Sequence, residues 1–222
     1  MPRILLVAAV VLCPVSRSAE AQQVARAYAG AVAGISTLSA DARSTIESGA
    51  ADVSLYTPEN GPALNLLIGL HVHDYATVQA NYVWNRNDVV LTSVGAAGRS
   101  FYEQPRTSSQ HAVVGDLLVY FRNRRSALRP YLSVGAGVVR LESTVTGEAR
   151  ALSATPPPAH LQATRALLRV AVGIDVAMGG HWSARYSFSE SISGNPFSAQ
   201  LSPPGQRGLA NFQNLFGIVR AF

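Results

Sequence analysis

Residues 165–178, RALLRVAVGIDVAM, alternate between two kinds of side chain. Because successive side chains of a β-strand point to opposite faces, an extended chain separates the two kinds completely. One face carries only aliphatic residues, which are Leu168, Val170, Val172, Ile174 and Val176. The other face carries small or charged residues, which are Arg165, Arg169, Ala171, Gly173 and Asp175. The stretch therefore predicts a strand whose two faces lie in different environments, one apolar and one that accommodates charge.

The same alternation recurs along the chain in segments of strand length. We predict about eight strands, at residues 26–37, 62–72, 75–85, 111–122, 129–141, 165–178, 181–191 and 209–222. Residues 89–96 either extend the third strand or form a separate element. After the N-terminal segment there is no run of about 18 apolar residues, so the sequence predicts no transmembrane helix.

The connections between these strands alternate in length. Short ones lie near residues 73–74, 123–127 and 179–180, and long ones at 38–61, 97–110, 142–163 and 194–208. The long connections are rich in Pro, Gly, Ser and Asn, as in ATPPPAH and SPPGQRG. A short helix is an alternative within 38–61, since Ser39-Ala40-Asp41 precedes ARSTIES. Short turns at one end and long loops at the other are typical of up-and-down barrels that cross an outer membrane.

Residues 1–21 have the organisation of a secretory signal peptide. A positive start, MPR, is followed by the apolar core ILLVAAVVLCPV and the cleavage pattern Ala19-Glu20-Ala21. We therefore expect residues 22–222 to form the mature barrel domain, beginning at Gln22. Lipidation of Cys13 is the alternative, but Leu12 stands where such sites have a small residue. Cleavage after Ala21 removes the single cysteine, so we expect a secreted chain without disulfides.

Alternation alone does not distinguish a membrane barrel from a soluble one such as a lipocalin, in which the apolar face points inward. The polar faces here are mostly Gly, Ser, Asn and Gln, and only 14% of all residues are charged, against about 25% in soluble domains. Aromatic residues of the apolar faces lie near strand ends, where membrane barrels have girdles; these are Trp84, Phe121, Trp182, Phe212 and Phe222. Tyr131 does not fit this pattern. We predict an all-β fold, an eight-stranded antiparallel transmembrane barrel.

The last strand closes on Phe222, and RPYLSVGAGV (129–138) forms the fifth predicted strand. Together with the signal peptide and the eight strands, these features resemble the small outer-membrane β-barrels, the OmpX-like proteins and the transmembrane domain of outer membrane protein A. The resemblance implies a bacterial outer-membrane location, both termini in the periplasm, and insertion by the barrel assembly machinery through the C-terminal strand. Arg220 departs from the family pattern, which has an aromatic or apolar residue there.

Four charged residues share the inward face of neighbouring predicted strands. We predict that Arg169 and Arg185 pair inside the barrel with Asp116 and Asp175. A buried charge is costly unless it is paired, so the arrangement favours a structural plug. A gate or selectivity element is the alternative.

Two further clusters suggest chemistry that the sequence does not favour. His181, Ser183 and Glu190 resemble the triad of outer-membrane lipid A deacylases, but Glu190 lies about 30 Å along the strand from His181. His71, His73 and Asp74 form a cluster on one short turn, which is weak evidence for a metal site. We therefore predict neither an enzyme nor a cofactor nor a metal.

The positive charge is scattered, and its densest run is RNRRSALR, residues 122–129. Without a basic face and interleaved aromatic residues, a nucleic-acid partner is not expected. We predict a scaffold in contact with outer-membrane lipids that presents four outer loops to an unknown ligand. A narrow channel, a lipid-modifying enzyme and a soluble binder are the alternatives. Loop residues that point to a partner are Tyr56, Phe101, Tyr102, Arg106, Phe197 and Arg207.

Overall fold

The computed structural model describes residues 27–45, 51–57, 59–94, 100–148, 150–151, 158–195 and 208–222. The predicted signal peptide lies outside these residues. Ten strands form the described part of the chain: β1 (Ala27–Thr45), β2 (Ala51–Thr57), β3 (Asn60–His71), β4 (Ala76–Val94), β5 (Ser100–Tyr120), β6 (Leu128–Val145), β7 (Arg150–Ala151), β8 (His160–Gly179), β9 (Trp182–Gly194) and β10 (Gly208–Ala221). No described helix is long and apolar enough to span a bilayer.

Eight long strands close into an antiparallel barrel. Each of β1, β3, β4, β5, β6, β8, β9 and β10 pairs with the next in that order, and β10 pairs back with β1. The short strand β2 lies between β1 and β4 and continues the line of β3, while β7 adds two pairs to β5. Because closure pairs every wall strand on both sides, this fold satisfies its backbone inside lipid. The predicted fold is confirmed.

The strands extend further at the long-loop end than the alternation predicted. Residues 89–94 continue β4, which pairs with β5 as far as Val94. The alternative of a short helix within 38–61 is wrong for residues 39–45, because β1 runs to Thr45 and pairs there with β2. Local helix signals are a weak prior, and a pairing partner in the tertiary structure overrides them.

The two faces of the wall have opposite character. On β8 the outward Leu168 is 65% exposed, whereas the inward Arg169 beside it is 2% exposed. The same division holds on β4, where Val78 and Tyr82 point outward and Gln79 and Asn81 are buried. Apolar residues outside and polar residues inside are the inverse of a water-soluble barrel and the arrangement that lipid requires.

Arg165 is the exception on β8. It follows the inward alternation, as predicted, but it is exposed. The pairing of β8 with β9 begins only at Leu167 and Ser193. Arg165 therefore lies beyond the last described pair of β8 with β9, and its side chain is exposed.

Two tyrosines lie over cross-strand glycines inside the barrel. Tyr28 on β1 is paired with Gly69 on β3, and Tyr131 on β6 with Gly173 on β8. A Cβ added at either glycine would overlap the facing ring. Because these glycines have no side chain, both rings have space to lie against the inner surface of the wall. Tyr131 therefore points inward, which is why it does not fit the apolar outward pattern.

Candidate functional site: the lumen network

The structure brings the four predicted charged residues together in the barrel interior. Asp116 comes from β5, Arg169 and Asp175 from β8, and Arg185 from β9. Each is on the inward face of its strand, and each is buried. They form two ion pairs, with Nη1 of Arg169 at 2.8 Å from Asp116 and Nε of Arg185 at 2.6 Å from Asp175.

The Arg185–Asp175 pair forms between direct cross-strand neighbours of β8 and β9. Arg185 donates from Nε to Asp175 Oδ1 at 2.6 Å and from Nη2 to Oδ2 at 2.7 Å. The hydroxyl of Tyr120 donates to the same Oδ2 at 2.9 Å. Two parallel bonds from a guanidinium fix both the position and the orientation of the carboxylate.

The Asp116–Arg169 pair spans an intervening strand. Gly135 of β6 is the cross-strand neighbour of Asp116 on one side and of Arg169 on the other. Because Gly135 has no side chain, Arg169 reaches over β6 to Asp116 Oδ2, which also accepts a bond from Asn81 at 3.0 Å. A Cβ at Gly135 would overlap Asp116 Oδ1.

We predict that Gly135→Val separates this ion pair by displacing the Asp116 carboxylate. Overpacking of this kind costs about 1–3 kcal/mol of the free energy of unfolding. Urea unfolding of the barrel in lipid vesicles measures the loss. Gly115→Val is the matched control, since a Cβ there meets nothing within 4 Å. Equal losses in both variants would contradict the prediction.

Two amides of β4 join the ion pairs into one chain of hydrogen bonds. Arg185 Nη1 donates to Gln79 Oε1 at 2.6 Å, and Gln79 Nε2 donates to Asn81 Oδ1 at 2.7 Å. Asn81 in turn donates to Asp116. The chain therefore runs without a break from Asp175 to Arg169 across the interior. The alternation of β4 predicts Gln79 and Asn81 on the inward face, but it does not distinguish these two amides from other inward polar residues.

A layer of aromatic side chains borders the network toward the short-turn end. Tyr28 donates to Gln79 Oε1 at 2.7 Å, and Arg185 lies 5.3 Å from the Tyr28 ring and 5.2 Å from that of Tyr131. Arg129 stacks on Tyr120 at 3.8 Å. The Tyr28 and Tyr131 rings cover Arg185 on the side of the short turns and hold its guanidinium against Asp175.

The network leaves little free space. A cavity of about 10 Å³ is lined by Gln79, Asp116, Tyr131, Arg169 and Arg185, among others, which is about the room that one water molecule needs. Asp116 Oδ1 and Arg169 Nε have no hydrogen-bond partner in the protein. One water at this position would satisfy both groups.

Arg106 was predicted as a loop residue for an external partner, and this is wrong. It lies on the inward face of β5 and is 1% exposed. Its guanidinium donates to Ser143 Oγ at 3.0 Å, Gln104 Oε1 at 2.6 Å and the Pro158 carbonyl at 2.9 Å. Because β5 begins at Ser100, Arg106 lies within the barrel wall. Its bond to the Pro158 carbonyl connects β5 to the residues just before β8. The other five residues of that set have no described side chains.

The structure gives different surroundings to the members of the two remaining clusters, the triad-like one on β9 and the His–Asp one on the first short turn. Ser183 follows the inward face of β9, whereas Glu190 is on the outward face beside Phe212 and Val170. Asp74 pairs with Arg124 at 2.9 Å, and His71 contacts Thr77 at 2.7 Å. Within the described residues, no group of three or more His, Cys, Asp or Glu side chains is arranged to hold a metal.

The predicted girdle residues lie toward the two edges of the apolar outer face. Phe121, Trp182 and Phe222 are 62%, 40% and 64% exposed at the short-turn end. Trp84 and Phe212 are half-buried on the outward face of β4 and β10. Their contact with a membrane interface stays a prediction.

Comparisons with known proteins agree with this architecture. Residues 5–206 match the family described as "Outer membrane protein beta-barrel domain". The fold is similar to that of Neisserial surface protein A, with a TM-score of 0.57 and 13% identity over 88% of this chain and 97% of that one. It is also similar to OprG from Pseudomonas aeruginosa, with a TM-score of 0.50 and 14% identity over 89% and 96%.

A search of curated proteins found no match. The structural likenesses concern the fold, whereas the family match covers most of the sequence. Both agree with the closed eight-stranded wall and its apolar outer face. The chain therefore belongs to the outer membrane protein beta-barrel family, as a small eight-stranded barrel of the outer membrane of a Gram-negative bacterium.

Proposed function

We propose that this protein is a membrane-anchored scaffold whose lumen is closed by the ion-pair network. The observation that carries the proposal is the unbroken chain of hydrogen bonds from Asp175 through Arg185, Gln79, Asn81 and Asp116 to Arg169. Its members come from β4, β5, β8 and β9 on different sides of the barrel. A passing solute would have to break several buried, charge-assisted bonds at once.

The charge balance of the network supports a plug. Two arginines meet two aspartates, so the two ion pairs together carry no net charge that would attract an ion of either sign. Breaking one buried pair leaves an uncompensated charge in a medium of low dielectric constant, which is strongly unfavourable. A closed state is therefore favoured over any open arrangement of the same side chains.

A narrow channel is the second candidate. Polar side chains with unpaired atoms continue above the plug: a second cavity of about 10 Å³ is lined by Asn85, Gln110, Asn211 and Gln213 among others. Small polar cavities at two levels would become a path for ions if Arg169 or Arg185 moved aside. Conductance distinguishes the two functions.

We expect the wild-type protein to give a heat-dependent gel shift, as folded barrels do, and no discrete currents in a planar bilayer. Asp116→Ala with Arg169→Ala removes one ion pair without leaving a lone charge, and we expect this variant to show discrete conductance steps. Arg165→Ala, outside the network, is the control and stays silent. Discrete wild-type currents that this double variant changes would assign the network to a gate and reject the scaffold proposal.

The proposed scaffold must also be inserted into the outer membrane and present its loops outside the cell. We infer that a signal peptide of residues 1–21 is removed, and that the barrel assembly machinery recognises the last strand with Phe222. The four outer loops present the contact surface for a ligand outside the cell. We assign no catalytic step to the lumen network, because its four charged groups pair with one another.

A further inference from the structure

The basic run RNRRSALR, which the plug does not use, lies in the turn between β5 and β6. Short turns of outer-membrane barrels face the periplasm, so this turn lies at the periplasmic end. Arg122, Arg124 and Arg125 occupy the turn itself, and Arg129 has already turned into the barrel over Tyr120. Three arginines within four residues therefore project from one connection.

The turn is held in a defined shape by Asn123. The Asn123 carbonyl accepts a bond from the Ser126 backbone amide at 3.1 Å. Its side-chain oxygen accepts one from the Arg125 backbone amide at 3.1 Å and one from Ser126 Oγ at 3.2 Å. This Asx-type arrangement fixes the backbone, so the arginines start from an ordered position.

The described acidic side chains of this end neutralise only part of its positive charge. Arg124 bonds to Asp74 of the neighbouring turn at 2.9 Å. Arg122 and Arg125 are exposed. Arg220, on the outward face of β10, lies 5.4 Å from the Trp182 ring and 5.3 Å from that of Phe222.

We call Arg122, Arg124, Arg125 and Arg220 the basic collar. In the described turns 72–75, 121–127 and 180–181 and at residues 220–222, these four arginines stand against the single side-chain carboxylate of Asp74. The opposite end of the wall differs, since its exposed arginines are accompanied by several carboxylates, those of Asp88, Glu103 and Glu142. Positive charge is therefore concentrated at the periplasmic end of the described barrel.

The collar borders the apolar band directly. Arg122 follows Phe121, which is 62% exposed, and Arg220 lies between Trp182 and Phe222. Arginine stems lie along apolar surface while their guanidinium groups reach the interface. The charges therefore lie at the depth of the lipid headgroups rather than free in the periplasm.

We propose that the basic collar binds the phosphate groups of anionic phospholipids in the periplasmic leaflet of the outer membrane. A guanidinium binds phosphate oxygens through charge-assisted, often bidentate hydrogen bonds. Basic residues next to a membrane surface attract anionic lipids for the same reason. The collar thus selects the lipids that surround one end of the barrel and fixes the depth of the wall in the bilayer.

The test compares spin-labelled phosphatidylglycerol with spin-labelled phosphatidylcholine around the refolded barrel in phosphatidylcholine vesicles. Electron paramagnetic resonance gives the ratio of their association constants. We expect wild-type protein to prefer phosphatidylglycerol, and Arg122→Gln/Arg125→Gln/Arg220→Gln to lower the ratio by at least about fivefold, since each arginine at an anionic surface contributes about that factor. This variant keeps the Arg124–Asp74 bond, and a gel shift confirms that it is folded.

The matched control, Arg86→Gln/Arg140→Gln/Arg165→Gln, removes the same number of charges from exposed positions at the opposite end. We expect it to keep the wild-type ratio. If the collar variant does not fold, Arg122→Gln/Arg125→Gln changes only exposed turn side chains and gives the same test. An unchanged ratio in the collar variant, or an equal fall in the control, would overturn the proposal. Loss of the preference on adding inorganic phosphate at constant ionic strength would assign the site to free phosphate and also reject the lipid.

Discussion

Replacing Arg185 by methionine is expected to lower the free energy of unfolding in lipid vesicles by about 3–5 kcal/mol, the cost of breaking a buried ion pair from one side. The variant leaves the Asp175 carboxylate buried with only the Tyr120 hydroxyl as a donor among the contacts described above. It also removes the donor to Gln79, on which the continuity of the network depends. Methionine keeps much of the volume, so the loss reports the charge rather than a cavity.

Two further variants separate the charge effect from a general loss of arginine. Arg165→Met removes an exposed guanidinium from β8 and is expected to change stability by less than about 0.5 kcal/mol. Arg185→Met combined with Asp175→Leu removes both charges, and we expect it to recover most of the loss, because apolar replacements of a buried pair are often neutral. A double variant no more stable than Arg185→Met would show that the carboxylate is not the cause.

Replacing Val172 by arginine is expected to destabilise the barrel by about 2–4 kcal/mol, the cost of an arginine on the lipid face at the bilayer midplane. Val172 is 49% exposed and lies midway along the outward row of β8, between Leu168 and Val176. A guanidinium there replaces lipid contact with an unsolvated charge. Equilibrium unfolding in vesicles measures the effect.

The depth of the residue provides the control for this prediction. Thr164 is on the same outward face of β8, eight residues nearer the long-loop end, and is exposed. Thr164→Arg is expected to cost about 0–1 kcal/mol, as near an interface. In a barrel surrounded by water, both substitutions would be close to neutral. Equal small effects at the two positions would therefore contradict the membrane placement of this face.

The fold could be predicted from the sequence because lipid and lumen impose different residues on successive positions. The alternation in β8 assigned Leu168 outward and Arg169 inward, and the structure has both there. The same signal disappears where the wall leaves the apolar band. The outward residues there are polar and exposed, as in Arg86, Asp88 and Arg140. Both faces of the strand are then polar, and the sequence pattern is that of a loop. This is why the alternation did not predict the upper parts of β5 and β6, and why it left the extension of β4 as one of two alternatives.

The membership of the lumen network was predictable only in part. Alternation identified which charges point inward, but pairing depends on register, which the sequence does not contain. Asp175 meets Arg185 because they are direct neighbours, whereas Asp116 meets Arg169 only across Gly135. The amides of Gln79 and Asn81 carry the connection between the pairs, and their type is common on every inward face. Nothing local marks these two amides as different from Asn65 or Gln110.

The hairpin of β4 and β5 extends well beyond the apolar band of the barrel. From Trp84, near the edge of the apolar band, β4 continues for ten residues to Val94, which at about 3.3 Å per residue and a tilt near 40° lifts the tip roughly 25 Å. The paired backbone of β4 and β5 therefore carries the described end of this hairpin, at Val94 and Ser100, away from the lipid. A barrel built in this way can alter what it displays to the outside while the part that keeps it in the membrane stays the same.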